Sequence, residues 1–335
     1  MDEVDNLQDL FSLALVNRAA YTAFKTDELE LMKATVRKVS PPAWELRQAS
    51  EVPWDALTLP GGQSLAAGLY FRHYARDLCY VAGIKFLLED YCLGILSEDL
   101  RTGLRDPSST QAGELDAAVW RVWTFCHLFG NRKDREHDTL GQQQWLRGEG
   151  VGTAGLPPVC QTSPDPADFN TALFAPHEGF AQGNSGGLSQ RQLMHMLEVW
   201  TSMGVLLDFL RKETRRARRT GLFEGAAPPQ PRKDSKEEVR MLHFVLTLGP
   251  AAVLELAPLG PNTDPDIAFG RAACNGWTHW TDSPVGASRS EFLSGVVRSM
   301  LRSRCASDEI AMPPREILLL TILHLVHALW PFNSQ

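Results

Sequence analysis

A mainly α-helical fold is what this 335-residue sequence predicts. Three observations carry that expectation. Apolar residues recur at three- and four-residue steps along most of the chain, the period of one helix face. Clean two-residue alternation is scarce, and the Asn275-Gly276 pair follows a helical stretch instead of joining two strands. Capping residues and first-turn prolines stand where the periodic segments begin. With 44% hydrophobic and 22% charged residues, the chain has an ordinary globular composition and length enough for a large core.

The elements follow in order. Leu7 to Phe24 predicts one amphipathic helix, with Asp9 as a capping residue and Leu10, Leu13, Val16 or Asn17, and Ala20 or Tyr21 at helical steps. Glu28 to Val39 predicts a second, on Leu29, Met32 and Val36. Ser40 caps a third that opens on Pro41-Pro42 and turns Trp44 inward, because a first-turn proline gives up no intrahelical hydrogen bond. A helix pair is expected from Leu65 to about Leu104, with Leu65, Leu69, Tyr74, Leu78, Val81 and Ile84 on its core face. Residues 106–113 read as a loop.

Glu114 to Phe129 is the strongest single helix, with Leu115, Val119, Val122, Cys126 and Phe129 in register and Gly130 as a left-handed stop. The mixed-sign run NRKDREHD after it predicts a solvated turn. Residues 148–187 lack periodicity and predict an irregular excursion. Ser189 and Gln192 form a capping box for a helix to about Arg219, whose cationic end RKETRRARRTG suits orphan carbonyls. GAAPPQPRKDSK at 225–236 reads as a linker. Helices are expected again at 237–248 and 250–257, broken at Gly249-Pro250, at 267–274, and from a Ser288/Glu291 capping box to Arg304. The final apolar stretch, ILLLTILHLVHALW at 317–330, spans about 21 Å as a helix. That is short of the roughly 30 Å of a bilayer core, so it is expected packed in the protein and not in a membrane.

Leu13, Trp44, Leu78, Val119, Trp123, Leu197 and Trp200 are the expected core. A net charge of -7 argues against nucleic acid as a partner. Six cysteines without C-x-x-C spacing, and an acidic start MDEVDN without a signal-peptide apolar region, point to a reducing cytoplasmic or nuclear setting. Dinucleotide, phosphate-loop, nucleophile-elbow and zinc-protease motifs are absent. His324 and His327 share a helix face without a carboxylate or thiol at ligand spacing. Cys126 and His127 are adjacent and point apart on a helix. Glu89 and Asp90 end an apolar helix and could be buried together. No catalytic residue, cofactor or metal is therefore expected.

The string D-L-x-S-L-x-x-V-N-R-x-x-Y at 9–21 resembles the second half of an F-box. LFSLALVNRAAYTAF at 10–24, SPPAWELR at 40–47, VWTFCHLFG at 122–130, GQQQWLRG at 141–148, GNSGGLS at 183–189 and NGWTHW at 275–280 together resemble a family of filamentous-fungal F-box proteins with a large helical region. The resemblance implies a substrate-recognition adaptor of a cullin–RING ubiquitin ligase, with no catalytic residue. Leu10, Leu13, Val16, Asn17, Arg18 and Tyr21 then occupy positions that pack internally or face the Skp-type adaptor. The Leu-Pro and first amphipathic helix that open an F-box do not precede them here, which implies a weakened adaptor surface, and the family pattern fades after about residue 304. A shortened or mis-spliced gene model would explain both ends, and so would divergence into a scaffold.

The expected layout is a partial F-box-like module at 1–38, an irregular multi-helix domain at 39–224, and a helical part at 237–335 packed on it. The alternatives from other classes are a helical interaction scaffold without a ligase link and an unrecognised hydrolase.

Overall fold

A computed structural model describes residues 4, 6–49, 66–130, 135–149, 160–161, 172–173, 181–208, 242–257, 264–275, 277 and 289–307. Helix dominates them. In chain order α1 is Leu7–Ala14, α2 Arg18–Thr26, α3 Glu28–Val39, α4 Pro41–Ala49, α5 Ala66–Tyr91, α6 Glu98–Arg105, α7 Thr110–Phe129, α8 Thr139–Leu146 and α9 Gln190–Leu207. A helical stretch at 242–248 follows, then α10 Pro250–Leu256, α11 Pro265–Cys274 and α12 Phe292–Ser307. Within the expected irregular region, Cys160–Gln161 (β1) pairs antiparallel with Ala172–Leu173 (β2).

The expected single helix over Leu7 to Phe24 is two helices. Asn6 caps the first by accepting the Asp9 N–H at 2.8 Å, and Asn17 caps the second by accepting that of Ala20 at 2.8 Å. Both asparagines have the extended backbone a cap requires. An Asn in mid-pattern therefore ends one helix and starts another. α3 has the predicted bounds, and Ser40 lies within reach of the Ala43 N–H at 3.4 Å.

α7 is the hub, packed by α4, α6 and α9. From Ala118 to Phe129 every residue is buried. Its Trp120 and Trp123 rings stack at 5.8 Å, and Phe125 meets Phe129, Trp145 and Phe292. The helix starts four residues earlier than expected, because Ser109 caps it by accepting the Ala112 N–H. Gly130 ends it in an extended conformation, not a left-handed one. Glycine is needed there for space, since a Cβ would lie 2.4 Å from the Thr247 carbonyl oxygen. Gly249 does need its freedom: φ of 95° turns the chain into α10, with Pro250 in the first turn. The Ser189/Gln192 capping box forms with both hydrogen bonds in place.

Trp44, Val119, Trp123, Leu197 and Trp200 lie in the core as expected. Leu13 and Leu78 do not, at 38% and 43% exposed. On α5 the inward face passes instead through His73, Asp77, Val81 and Ile84, a line one position from Leu78. Glu89 and Asp90 are exposed, so they make no buried carboxylate pair. The mixed-sign turn is not wholly solvated: Arg135 is buried against Asp138 at 2.6 Å, and buried Glu136 pairs with Arg289 at 2.8 Å. Those charges are satisfied by partners, one of them 153 residues away, that the local sequence does not show. The cationic run after α9, the 225–236 linker, Ser288, His324, His327 and the 317–330 stretch lie outside the described residues. Among those described, no helix is long and apolar enough to cross a membrane.

Candidate functional site

The six positions singled out in the N-terminal segment divide by the geometry of the α1–α2 corner. Leu10, 1% exposed, and Ala14 turn inward to the cluster that holds Phe24, Met32 and Val36. Phe11 bridges outward, edge-on to Phe24 at 5.9 Å and to Phe71 of α5 at 5.3 Å. The module is thereby packed on the helical body. Lys38 closes it by donating to the Val4 carbonyl at 3.3 Å.

Leu13, Val16 and Tyr21 face solvent at 38%, 69% and 48%, and Leu15 between them is 77% exposed. Asn17 and Arg18 are exposed as well. The cause is local. The backbone turns at Leu15, where its N–H bonds back to Phe11 and that of Val16 bonds back to Leu13. Asn17 then commits its side chain to capping. Leu13, Leu15 and Val16 are left exposed around that turn, and Tyr21 is left exposed in the first turn of α2. Five of the six positions are thus at the surface together, and Leu10 anchors them from beneath. Leu15 belongs to the same surface and was missed, because it falls off the three- and four-residue pattern of a single continuous helix.

A second constellation lies inside the body, and sequence spacing gave no sign of its pairing. α4 is buried from Pro42 to Ala49. Glu45 and Arg47, two positions apart, point to nearly opposite sides of it. Arg47 meets Asp77 of α5 at 2.7 Å, and Arg76 adds a contact to that carboxylate at 3.3 Å. Burial pushes the Asp77 carboxyl up, against the opposing effect of both arginines. Glu45 accepts the Trp145 indole N–H at 2.6 Å, and its other oxygen has no hydrogen-bond partner. Burial pushes the Glu45 carboxyl up to about 7, with the Trp145 hydrogen bond and the Arg121 charge working against it. Gly183 lies alongside: a Cβ there would stand 2.7 Å from the free oxygen. Arg121 donates to the Gly183 carbonyl at 3.3 Å, and Asn184 donates to that of Trp145 at 3.2 Å.

Four of the resembling segments, SPPAWELR, VWTFCHLFG, GQQQWLRG and GNSGGLS, therefore meet at one junction. It holds α4, α7 and α8 together through polar contacts between groups up to 100 residues apart. Nearby, Glu198 of α9 accepts the Ser97 N–H at the start of α6 at 2.7 Å, and burial lifts its carboxyl to about 7. The adjacent His195 is buried, and desolvation followed by the Arg191 charge holds its imidazole below the usual histidine range.

Neither buried thiol among the described residues is poised as a nucleophile. Burial pushes Cys126 far above the usual thiol range and Cys92 up to about 11, and each thiol faces a backbone carbonyl. A thiol held protonated attacks slowly. Among the described residues no three His, Cys, Asp or Glu side chains group as metal ligands do. Comparison with protein-family models, with curated proteins and with solved structures found no match to the chain.

Proposed function

We propose that the protein is a non-catalytic, F-box-type substrate-recognition adaptor of a cullin–RING ubiquitin ligase, acting in the cytoplasm or nucleus. Its α1–α2 corner binds a Skp-type adaptor, and its helical body holds a protein target. One observation supports this above the others. Leu13, Leu15 and Val16 are exposed where α1 ends, and Tyr21 is exposed in the first turn of α2, all within the string that resembles an F-box, while Leu10 secures α1 to the core. Apolar side chains grouped on a surface are what a protein partner covers.

A corner of one helix and a turn offers less than the roughly 1,200–2,000 Å² of total buried area of a stable complex. Binding through it alone is weak, and a Leu-Pro amphipathic helix grafted ahead of α1 enlarges the face and strengthens binding. The test is a calorimetric titration of a purified Skp-type adaptor against the chain and against the grafted form. Leu13→Asp with Val16→Asp abolishes the heat of binding in both, because the partner would have to bury unpaired charge. If neither folded form binds at high micromolar adaptor, the ligase reading fails and a helical scaffold without a ligase link takes its place.

A further inference from the structure

The outer face of α5 carries a second apolar surface, which begins at Phe71 beside Phe11 of α1 and runs away from the α1–α2 corner. Phe71, Leu78, Cys79, Ala82 and Phe86 are exposed, and Ala75 is half-buried among them. At about 100° per residue all six fall within roughly a quarter-turn of the helix, over a length of about 22 Å. Phe71 and Phe86 lie at the ends of this stripe, and Leu78 with the smaller Ala75, Cys79 and Ala82 lies between them. The exposed charges beside it differ in sign at its two ends: Arg72 by Phe71, and Glu89 and Asp90 just beyond Phe86.

We infer that this face pairs with the same face of a second copy of the chain, the two α5 helices running antiparallel about a two-fold axis between Tyr80 and Val81. Three features select a second copy over an unrelated partner. The charge distribution is self-complementary only in the antiparallel sense: the axis sets Arg72 of each copy opposite the acidic Glu89–Asp90 end of the other. The same axis sets bulky Phe86 over small Ala75, and Cys79 over Ala82. Cys79 and Ala82, the stripe residues nearest the axis, are small and let the helix axes approach to the 8–10 Å of packed helices. An isologous contact satisfies both ends of the stripe at once, since each pairing occurs twice.

The area available on one helix face is at the low end for specific association, which places the dimer in the micromolar range and makes it reversible. Cys79 lies close to the axis, so the two thiols of a dimer come within reach of one short bifunctional reagent.

Sedimentation equilibrium over low to high micromolar concentration is the test, with chemical crosslinking alongside. The chain is expected to show a monomer–dimer equilibrium. A short bis-maleimide is expected to trap a covalent dimer that is lost in Cys79→Ser and kept in Cys274→Ser, which removes the other exposed thiol among the described residues. Leu78→Asp with Phe86→Glu, both at exposed positions, is expected to leave the circular-dichroism melt in place and to abolish the dimer. Arg72→Glu alone weakens dimerisation by roughly tenfold, and Arg72→Glu with Glu89→Arg restores it, because the pair is only exchanged across the axis. A strict monomer overturns the inference, as does a dimer indifferent to Leu78→Asp with Phe86→Glu or one whose crosslink survives Cys79→Ser. A dimer weakened by Arg72→Glu but not restored by the exchange overturns the antiparallel register.

Discussion

The α1–α2 corner and the α4–α7–α8 junction invert each other. At the corner, apolar Leu13, Leu15 and Val16 stand in solvent beside a backbone kept in order by two asparagine caps. At the junction, carboxylate and guanidinium groups lie out of water between aromatic rings. Each arrangement carries a free-energy cost that a random surface or core would avoid. The cost at the junction is offset within the molecule, by Trp145, Asp77 and the surrounding α7 core. The corner has no such compensation among the described residues. An exposed apolar surface is one that a partner can cover, whereas the buried polar contacts, with one Glu45 oxygen left unpartnered, tie distant helices into one packing.

The comparison can be broken most forcefully at the hub. Trp123→Ala removes a buried indole that stacks on Trp120 and meets Tyr80, and should cost roughly 3–5 kcal/mol. A thermal melt equal to that of the parent would show that α7 is not the centre of the core.

Leu10→Ala comes next, at roughly 2–3 kcal/mol, since the side chain is buried in the core cluster. Chemical denaturation followed by circular dichroism measures it. A neutral result would mean that the corner is not anchored from beneath and that its exposed face is not held in one shape.

Glu45 sharpens the contrast through pH. Its folded-state carboxyl is raised to about 7 from 4.5. The folded protein therefore holds a proton that the unfolded chain releases. This contribution to stability is fully present below about pH 4.5 and is lost as pH rises through about 7. At about 1.4 kcal/mol per pH unit, the whole effect is of order 3 kcal/mol. Glu45→Gln mimics the protonated form, so its stability relative to the parent should rise across that window and level off above it. Urea denaturation of both proteins at several pH values reads this difference. A difference that stays flat with pH would show that Glu45 is ionised in the fold, with Arg121 outweighing its burial.

The smallest expected change in stability is at the corner itself. Leu13→Asp with Val16→Asp should move the folding free energy by no more than about 0.5 kcal/mol, as solvated surface positions do. The same pair of substitutions should remove adaptor binding. A loss of several kcal/mol would place those side chains in the core and withdraw the partner surface.

Local chemistry alone determined much of this protein. The bounds of α3, the Ser189/Gln192 capping box, the break at Gly249-Pro250 and the inward Trp44 and Trp123 all follow from residues a few positions apart. Propensity, capping and helical period act over that range and need no knowledge of the rest of the chain. The exposure of the corner was not legible: Leu13 reads as core, and the period of a single helix over 7–24 hides the Asn17 cap that breaks it. What the tertiary structure decided was facing and partnership. Leu78 and Asp77 are neighbours on one apolar helix, and burial went to the aspartate because Arg47, thirty positions earlier, meets it there. Glu45 is tolerable inside only because Trp145 donates to it across 100 residues. Gly130 stops a helix where glycine is required by the Thr247 carbonyl, not by backbone freedom. Whether a side chain belongs inside depends on the difference between losing water and gaining a partner, and the partner's position is set by the packing of distant helices.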